Sequence, residues 1–526
     1  MVRADAPVGL RLDEASGRWV LAATVAGSTS AFLLATVVNV ALPAIGRELG
    51  AGVAGRQWIV TGYLLTLSAA ILLGGSLGDR LGRRRIYVIG VVWFGAASVL
   101  CALAPTLELL IAARVLQGIG GALLTPGSLA IIQASFAPSH RARAIGAWSA
   151  LGSVGQLAGP LLGGLLVDTV GWRSVFVLPL PLCAFVVWAA LAHVPETRDE
   201  TVVGQPDVRG SMLSIIALAG VTYAVIEAPN VGVLDPMLLA ALVAGITAAI
   251  AFVVVERREP NAMLPPSIFA SAQFTWANAL CFVVYAALGG VSFLLVQHLQ
   301  IVLGYSATQA GAAFMPVAII MFALSERSGA LAQRIGPRRP LTAATLVLTV
   351  AMVLLAMLDA GDGYATAVLP AAVVFGLGLA GLVAPVTATT LAAADERHSG
   401  VASGVNNAIS RVAQLLATAA LPVAAGLTSD AADIPADEFA AGFSRAMLIT
   451  AGLTLIGAII AWTRISDDVL APDAGVPPGD RERRPAVAPG AAADMAGDGR
   501  APLDRWHCGL ESAPERVHPG HPRHRR

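Results

Sequence analysis

Two loops of the chain have nearly the same sequence. Residues 75–85 read GSLGDRLGRRR, and residues 329–339 read GALAQRIGPRR. Glycine, leucine, arginine, glycine and two later arginines coincide at a constant offset of 254 residues. Since self-similarity at a fixed offset indicates a duplicated folding unit, the regions around these two loops are expected to share one fold.

The composition excludes most soluble proteins. Of 526 residues, 56% are hydrophobic and only 13% are charged, and the mean hydropathy is +0.73. Soluble domains carry about 25% charged residues, and disordered proteins combine low hydrophobicity with high charge. The 34 basic and 34 acidic residues balance, so net charge does not indicate a nucleic acid or an acidic partner. The composition therefore predicts an all-α membrane protein with many spans.

Apolar stretches long enough to cross a bilayer recur along the chain. A membrane helix needs about 20 mainly apolar residues, because its backbone groups must be satisfied within the segment. This length predicts fourteen spans, near residues 19–42, 56–77, 86–104, 107–132, 144–167, 174–193, 211–228, 237–255, 274–299, 307–325, 341–358, 366–392, 403–427 and 443–463.

The arginines of the loops predict the orientation of these spans. Outer loops would hold only Arg47, Arg56 and Arg173 if the N-terminus is cytoplasmic. Cytoplasmic loops of membrane proteins carry an excess of basic residues, so both termini are expected inside the cell. The inner loops would then hold Arg80, Arg83, Arg84, Arg85, Arg141, Arg143, Arg198, Arg209, Arg257, Arg258, Arg327, Arg334, Arg338, Arg339 and Arg397.

The offset of the repeat predicts the domain organisation. Spans one to six would be duplicated as spans nine to fourteen, with spans seven and eight inserted between the copies. Two repeated halves around a central binding site are typical of transporters. The predicted organisation is a cytoplasmic N-terminus (1–18), a six-helix bundle (19–193), linkers with two extra spans (194–272), a second six-helix bundle (273–463) and a disordered cytoplasmic tail (464–526).

Four motifs resemble those of a known family. Residues 75–85 match the loop signature G-x-L-a-D-r-x-G-r-[kr]-[kr] of the major facilitator superfamily, and LIAARVLQGIGGA at 110–122 matches its fourth-span motif. GQLAGPLLGG at 155–164 matches G-x-x-x-G-P-x-x-G-G of its antiporters, and VNVALP at 38–43 is similar to the first-span ending of the fourteen-span drug:proton antiporters. Over residues 19–463 this resemblance implies the major-facilitator fold and proton-driven export of small hydrophobic compounds.

The first repeat loop is expected to control conformational change. Its glycines permit tight turns and close helix contacts, and Asp79 can accept charge-assisted hydrogen bonds. Contacts of this kind hold one conformation and are released in the other. The second copy has Gln333 at the position of Asp79, so a charged latch is expected in the first copy alone. The alternative is that the arginines only anchor the loop inside. The predicted gating residues are Gly75, Asp79, Arg80, Gly82 and Arg83.

The fourth span contains an arginine, Arg114, within its body. A charged side chain at the centre of a membrane helix costs about 2.5–3.5 kcal/mol on insertion scales, so it marks a functional cavity or a paired site. The resemblance implies a role in proton coupling for Arg114, together with Gln117 and Gly118. The alternative is a structural arginine that binds backbone carbonyls.

The fifth span carries small residues at a spacing of four, with a proline between them. Such a stripe lets helices approach closely, and a proline frees a backbone carbonyl. The resemblance implies an antiport motif that limits leakage between the halves, and the alternative is packing alone. The residues are Gly155, Gly159, Pro160, Gly163 and Gly164.

Polar residues inside apolar stretches are candidates for a substrate cavity, because hydrocarbon does not accommodate them. The predicted lining residues are Asn39, Gln156, Asn278, Asn407 and Arg411, whereas His298 is expected at the outer membrane interface.

The chain departs from the family pattern at one position of the first span. The fourteen-span antiporters usually carry an Asp a few residues before their T-[IV]-V-N segment, but here Leu34 precedes TVVN at 36–39. The residue that carries the proton is therefore not identified by resemblance, and neither is a preference for cationic compounds.

No catalytic motif is present. The sequence lacks a P-loop lysine motif and H-E-x-x-H, and its four cysteines are not at metal-ligand spacing, so neither an enzyme nor a metal or cofactor is predicted. The expected partners are a small hydrophobic substrate, protons and the lipid bilayer, with a monomer in the plasma membrane. Two alternatives remain: a facilitator-type importer of a small metabolite, and a membrane sensor on the same fold that does not transport, which the missing first-span Asp keeps open.

Overall fold

The computed structural model describes residues 9–198, 206–259, 264, 266–394, 399–429, 431 and 434–470. All of them belong to one unit, Met1–Ala474, and Gly475–Arg526 forms a second unit outside the described residues. The predicted tail therefore lies almost entirely outside them. Within the described part the protein is helical, and its only β pairing is an isolated bridge between Leu10 and Phe136.

Fourteen long helices account for the described membrane region, and they follow the predicted spans in order. We number them α1 to α14: Ala15–Leu49, Val53–Leu81, Arg83–Leu103, Leu107–Ser135, Pro138–Thr169, Ser174–His193, Val208–Val231, Pro236–Arg258, Ala272–Ile301, Ala307–Ile335, Arg338–Ala356, Tyr364–Ala392, Ser399–Ala424 and Ala436–Arg464. Three are irregular: α6 is interrupted after Val177, α10 at Phe314, and α12 begins with a π-helical turn, Tyr364–Val368.

Twelve of the described helices are long and apolar enough to cross a membrane. The other two, α5 and α13, lie where the fifth and thirteenth spans are predicted. Both contain many small and polar residues, because α5 carries the glycine stripe and α13 carries asparagines, Arg411 and Gln414. The all-helical fold is confirmed, while the total of fourteen spans stays a prediction.

The helices form two bundles with the same packing. In the first, α2 and α3 pack on α4, and α1 packs on α5 and α6. In the second, α10 and α11 pack on α12, α11 packs on α14, and α9 packs on α13 and α14. The inserted helix α7 packs on α8 and also on α2 and α13, so it covers one of the joins between the bundles.

The bundles meet along α2 and α13, along α5 and the first part of α10, and along α1 and α9. Several hydrogen bonds cross this boundary at the end of the bundles that the topology assigns to the outside, called the outer end below. Gln300 Nε2 donates to the Val40 carbonyl at 2.9 Å, and the amide of Val53 donates to the Ser429 carbonyl at 3.0 Å.

The two repeat loops lie at the opposite end of the bundles, called the inner end. Gly82 joins α2 to α3 with φ +110°, and Gly336 joins α10 to α11 with φ +83°. Such φ values favour glycine, which explains why both copies keep a glycine at this position.

Candidate functional site

The first loop is closed by an ion pair and by a segment from beyond the sixth helix. Asp79 Oδ1 accepts hydrogen bonds from Arg83 Nη2 at 2.7 Å and Nε at 2.8 Å, across the turn at Gly82. The carboxylate of Glu196 accepts from the backbone amides of Arg84 at 3.0 Å and Arg85 at 3.2 Å. A carboxylate at a helix N-terminus is favoured by the unpaired amides and the helix dipole, so Glu196 stabilises the start of α3.

The second loop repeats only part of this arrangement. Asp467, which follows α14, accepts from the backbone amide of Arg338 at 3.0 Å. A Cβ on Gly336 would lie 2.3 Å from its Oδ1. Asp467 therefore stabilises the start of α11, as Glu196 stabilises the start of α3. Gln333 and Pro337 stand where the first copy has Asp79 and Arg83, so the predicted asymmetry of the ion pair is present.

The remaining two gating candidates lie on the inner half of α2. Arg80 Nε donates to Ser76 Oγ at 3.2 Å on the same helix. A Cβ on Gly75 would lie 3.6 Å from Pro126 of α4, which is an ordinary contact, so Gly75 faces that helix without requiring a glycine.

Arg114 is buried inside the first bundle, with 1% of its surface exposed. Its Nε donates to the Ile59 carbonyl at 2.9 Å, its guanidinium contacts Gln117 Oε1, and it lies over the Tyr63 ring at 4.4 Å from the centroid. In the described part of the chain no carboxylate pairs with it. The positive charge is thus held by one carbonyl, one amide and one aromatic face.

The neighbours of Arg114 extend this network. Gln117 Nε2 donates to Ser98 Oγ of α3 at 2.7 Å, and that hydroxyl donates to the Phe94 carbonyl at 2.8 Å. A Cβ on Gly118 would lie 2.1 Å from Thr66 Oγ1 and 2.4 Å from the Tyr63 carbonyl. Gly118 therefore lets α2 and α4 approach closely enough to bring Tyr63 beneath the arginine.

The glycine stripe of α5 packs mainly within the first bundle. Added Cβ atoms on Gly155, Gly159 and Gly163 would lie 2.2 Å from Thr29 Cγ2, 2.2 Å from Thr36 Oγ1 and 2.6 Å from Val37 Cγ1, all on α1.

The outer end of the same helix contacts the other bundle. A Cβ on Gly164 would lie 2.3 Å from the Ala307 carbonyl, and the Pro160 carbonyl lies against Gly311. Asp168, one turn beyond Gly164, accepts from the amides of Ala307 at 3.2 Å and Thr308 at 2.8 Å. The stripe thus serves packing within one bundle, and its outer end serves the contact between the two.

The predicted cavity residues lie on four helices, α1, α5, α9 and α13. Asn39 Oδ1 on α1 is buried and has no hydrogen-bond partner among the described residues. Asn278 on α9 donates to the Phe274 carbonyl at 2.9 Å and accepts from Asn406, the residue before Asn407, at 3.2 Å. The side chain of Gln156 lies outside the described part.

Arg411 and Asn407 belong to a polar face of α13. Residues at positions three or four apart lie on one side of a helix, and here they are Ser403, Asn407, Arg411, Gln414 and Thr418. Arg411 is partly buried and its Nη1 lies 3.4 Å from Gln414 Oε1. The Thr418 carbonyl accepts from Gln57 of α2 at 3.0 Å, so this end of the polar face lies against the first bundle.

Comparison with known proteins identifies the family. The Major Facilitator Superfamily model matches residues 24–418. The chain belongs to this superfamily. It is 36% identical over 394 residues to "Multidrug resistance protein Stp" of Mycobacterium tuberculosis (strain CDC 1551 / Oshkosh), covering 74% of this chain and 72% of that protein. It is 33% identical to "Puromycin resistance protein pur8" of Streptomyces alboniger, covering 86% and 92%, and 34% identical to "Methylenomycin A resistance protein" of Streptomyces coelicolor (strain ATCC BAA-471 / A3(2) / M145), covering 88% and 95%.

Solved structures agree on the fold of the superfamily. A POT family transporter aligns with a TM-score of 0.62 at 14% identity, over 84% of this chain and 94% of that one. A bacterial homolog of the human lysosomal transporter Spinster, in an inward-facing and unoccupied conformation, aligns with a TM-score of 0.60 at 18% identity, over 86% and 97%.

Sequence reasoning missed a carboxylate within the tenth helix, Glu326. Residues 307–325 were predicted as the tenth span, but the helix continues to Ile335 and includes Glu326 and Arg327 in its inner half, where both are exposed. The repeat contained the signal, since Glu326 aligns with Leu72 at the offset of 254, within the second predicted span. Charged residues within membrane helices almost always face the bundle interior or a water-filled cavity.

The structure adds a contact for His298, which the sequence predicts at the outer membrane interface. It is fully buried on α9 and stacks on Phe443 of α14, with ring centroids 3.9 Å apart. Both of its ring nitrogens lack a hydrogen-bond partner among the described residues. The hydropathy pattern could not show this, because the burial comes from α14, which is distant in sequence.

Proposed function

We propose that this protein exports small hydrophobic compounds across the plasma membrane by alternating access, in exchange for protons. Two repeated bundles with a polar interior support a transporter. The printed names of its relatives, which are resistance proteins, favour export over import.

The observation that carries the proposal is the uneven contact between the bundles. At the outer end α5 packs on Ala307–Ala313, the first segment of α10, whereas the following segment, Met315–Ile335, packs on α11 and α12. The bundles are thus joined at the outer end beside α5, and α10 leaves α5 towards the inner end. This arrangement suits a state that accepts substrate from the cytoplasm.

The motif residues would act at the two ends of this movement. The Asp79–Arg83 pair and the Glu196 contact would hold the inner corner of the first bundle as one body. Arg114, Gln117 and Gly118 would couple this bundle to protonation, since a buried cation without a carboxylate partner is sensitive to any charge that changes nearby. Gly164, Pro160 and Gly311 would close the outer end.

Glu326 is the residue that we propose as the proton carrier. A carboxylate exposed at membrane depth can take up a proton from an aqueous cavity and release it at a later step of the transport cycle. Leu34, which replaces the usual first-span Asp, is fully buried in α1 and cannot titrate. The carrier would then lie in the second bundle instead of the first.

We further propose that the protein functions as a monomer with both termini in the cytoplasm. The arginine distribution supports this orientation. Cysteine accessibility of the segments 80–85 and 334–339 tests it, because labelling of the two segments from opposite faces of the membrane would contradict the duplicated fold.

Everted membrane vesicles with an acidic lumen test the transport proposal. Methylenomycin A and puromycin, the compounds in the relatives' names, would be added to vesicles containing wild type, Glu326→Gln or the control Glu108→Gln. Glu108 is exposed at the start of α4, at the outer end. Wild type and Glu108→Gln should release lumen protons on substrate addition, and Glu326→Gln should not, although it should still exchange labelled substrate at equilibrium.

The possible results separate the two parts of the proposal. If Glu326→Gln releases protons as wild type does, Glu326 is excluded as the carrier. This result would not contradict export. If wild type shows no proton release and no substrate uptake, export itself is contradicted. This result would favour a sensor that binds without transport.

A further inference from the structure

Two arginines, one from each bundle, lie on helices that pack on α2. Arg114 of the first bundle lies over the Tyr63 ring. Arg411 of the second bundle is partly buried on α13. Tyr63 lies on α2, which packs on both α4 and α13, so the two cations lie on helices that flank α2 from opposite halves of the chain. We call these residues the central arginine pair.

Two contacts between α2 and α13 place Arg411 at about the level of Tyr63. Towards the outer end, Gln57 Nε2 donates to the Thr418 carbonyl at 3.0 Å. Towards the inner end, a Cβ on Gly404 would lie 3.0 Å from Leu72 Cδ2. Arg411 is between these two contacts along α13, as Tyr63 is along α2.

The described residues offer no negative charge to this pair. Four ion pairs are found in the described part of the chain, and neither arginine takes part in them. Glu326 is the described carboxylate nearest to the middle of any span, but α10 packs on α11 and α12 whereas α13 packs on α2, α7 and α9. The first-span position that carries Asp in the fourteen-span antiporters is Leu34 here.

Two like charges in a low-dielectric interior favour a ligand of opposite sign. The cost of burying an ion is offset when an oppositely charged group binds it, and a ligand of the same sign is repelled. The partly buried Arg411 and the neighbouring Gln414 amide present several groups that can donate hydrogen bonds to anionic oxygens.

We propose that the central site selects amphipathic organic anions, with Arg411 binding the anionic group of the substrate and the Arg114–Tyr63 contact adding positive field behind it. This inference rests on the proposed export function and specifies its substrate class. Compounds with a carboxylate, sulfonate or phenolate on an apolar ring system fit the site, and permanent cations of the same shape do not.

Two fluorescent probes of opposite charge test the selection. Pyrene-1-sulfonate and (1-pyrenylmethyl)trimethylammonium share one ring system and keep their charges at every working pH. Their uptake into everted vesicles with an acidic lumen would be compared for wild type, Arg411→Gln, Arg411→Lys and the control Arg445→Gln. Arg445 is exposed on α14 and donates to the Ala441 carbonyl at 3.2 Å.

The expected result is a charge-dependent pattern. Wild type should take up the sulfonate at least tenfold faster than the ammonium probe. Arg411→Gln should lower sulfonate uptake at least tenfold without lowering ammonium uptake, Arg411→Lys should stay within about threefold of wild type because it keeps the charge, and Arg445→Gln should not differ from wild type. Monodisperse elution of purified Arg411→Gln would show that the variant is folded.

Other outcomes overturn the inference in distinguishable ways. Preference of wild type for the ammonium probe, or unchanged sulfonate uptake by Arg411→Gln, contradicts the anion site and leaves export intact. If wild type takes up neither probe, the anion site is also contradicted. If substrate-evoked proton release is absent as well, the proposed function fails with it.

Discussion

Helices α5 and α13 are the same element of the two copies, and they contact the opposite bundle in different ways. At the offset of 254, Gly164 aligns with Thr418 and Gly311 aligns with Gln57. The α5–α10 join brings backbones together, because Gly311 lies against the Pro160 carbonyl. In the α13–α2 join, Gln57 donates to the carbonyls of Thr418 at 3.0 Å and Ala419 at 2.7 Å.

A proline contributes to the second join. Pro422 lies within α13 and lacks the amide that would otherwise bind the Thr418 carbonyl, so this carbonyl is free to accept from Gln57. One copy thus closes the outer end by close packing of small residues, and the other closes it by hydrogen bonding. A duplicated fold can keep the position of a join while its chemistry changes.

Removal of the small residue at the first join should have the largest effect. An alanine Cβ at Gly164 would lie 2.3 Å from the Ala307 carbonyl, a backbone atom that cannot move alone. Overpacking costs about 1–3 kcal/mol, which is roughly five- to 150-fold in the population of the closed outer end. Gly164→Ala should lower substrate uptake into everted vesicles by that factor.

Gly146→Ala is the matched control on the same helix. A Cβ at Gly146 meets no atom within 4 Å, so uptake should equal that of wild type. Full activity of Gly164→Ala would mean that the α5–α10 contact is not needed in the transport cycle.

Loss of the hydrogen bonds at the second join should have a smaller effect. Gln57→Leu leaves the Thr418 carbonyl without its partner, which costs about 1–2 kcal/mol for a buried acceptor. The outer end should open roughly tenfold more often. A cysteine at Ala307, which is 4% exposed, should then react faster with an impermeant maleimide in a Cys508→Ser background.

Gln273→Leu provides the comparison for this variant. Gln273 Nε2 donates to the Arg464 carbonyl at 3.0 Å within the second bundle, so its loss removes a similar bond without touching the join. An equal rise in labelling for both variants would indicate general loosening rather than opening of the outer end.

The sequence predicted the features that depend on local pattern. Hydropathy placed the helices, and the repeat placed the turns at Gly82 and Gly336. Sequence reasoning missed Glu326 because it interpreted a charged residue as the end of a span. The helix continues for nine residues beyond Glu326, to Ile335. Asn406 rather than Asn407 contacts Asn278, since adjacent residues point about 100° apart on a helix.

Contacts between distant segments could not be predicted at all. Glu196 is 112 residues from Arg84 and Asp467 is 129 residues from Arg338. No periodicity in the sequence connects these positions. The two carboxylates became visible as equivalent groups only when the structure placed each of them at the start of a helix that follows a repeat loop.

These two carboxylates allow the inner corners to be compared. Glu196 accepts from two backbone amides and lies 3.6 Å from Arg84 Nε, whereas Asp467 accepts from the amide of Arg338. Capping groups contribute about 0.5–2 kcal/mol. Glu196→Gln should therefore lower the free energy of unfolding in detergent by about 1 kcal/mol, and Asp467→Asn by about half of that.

Tryptophan fluorescence during thermal unfolding measures the difference, with Glu259→Gln, an exposed residue beyond α8, as the control. A larger loss for Asp467→Asn would reverse the expected order of the two corners.

The smallest effect is expected for the Asp79–Arg83 pair, which is the one difference between the corners that the sequence predicted. The side chains are 34% and 17% exposed, and pairs at this spacing contribute about 0.2–0.5 kcal/mol. Asp79→Asn should therefore change the transport rate by roughly twofold and leave thermal stability nearly unchanged.

Gln333→Asp combined with Pro337→Arg would build the same pair in the second copy. If the pair acts as a latch, this double variant should slow transport in the wild-type background, because both corners must then release. If the pair only anchors arginines at the membrane surface, the double variant should have no effect on the rate, and the difference between the two copies would be one of sequence and not of mechanism.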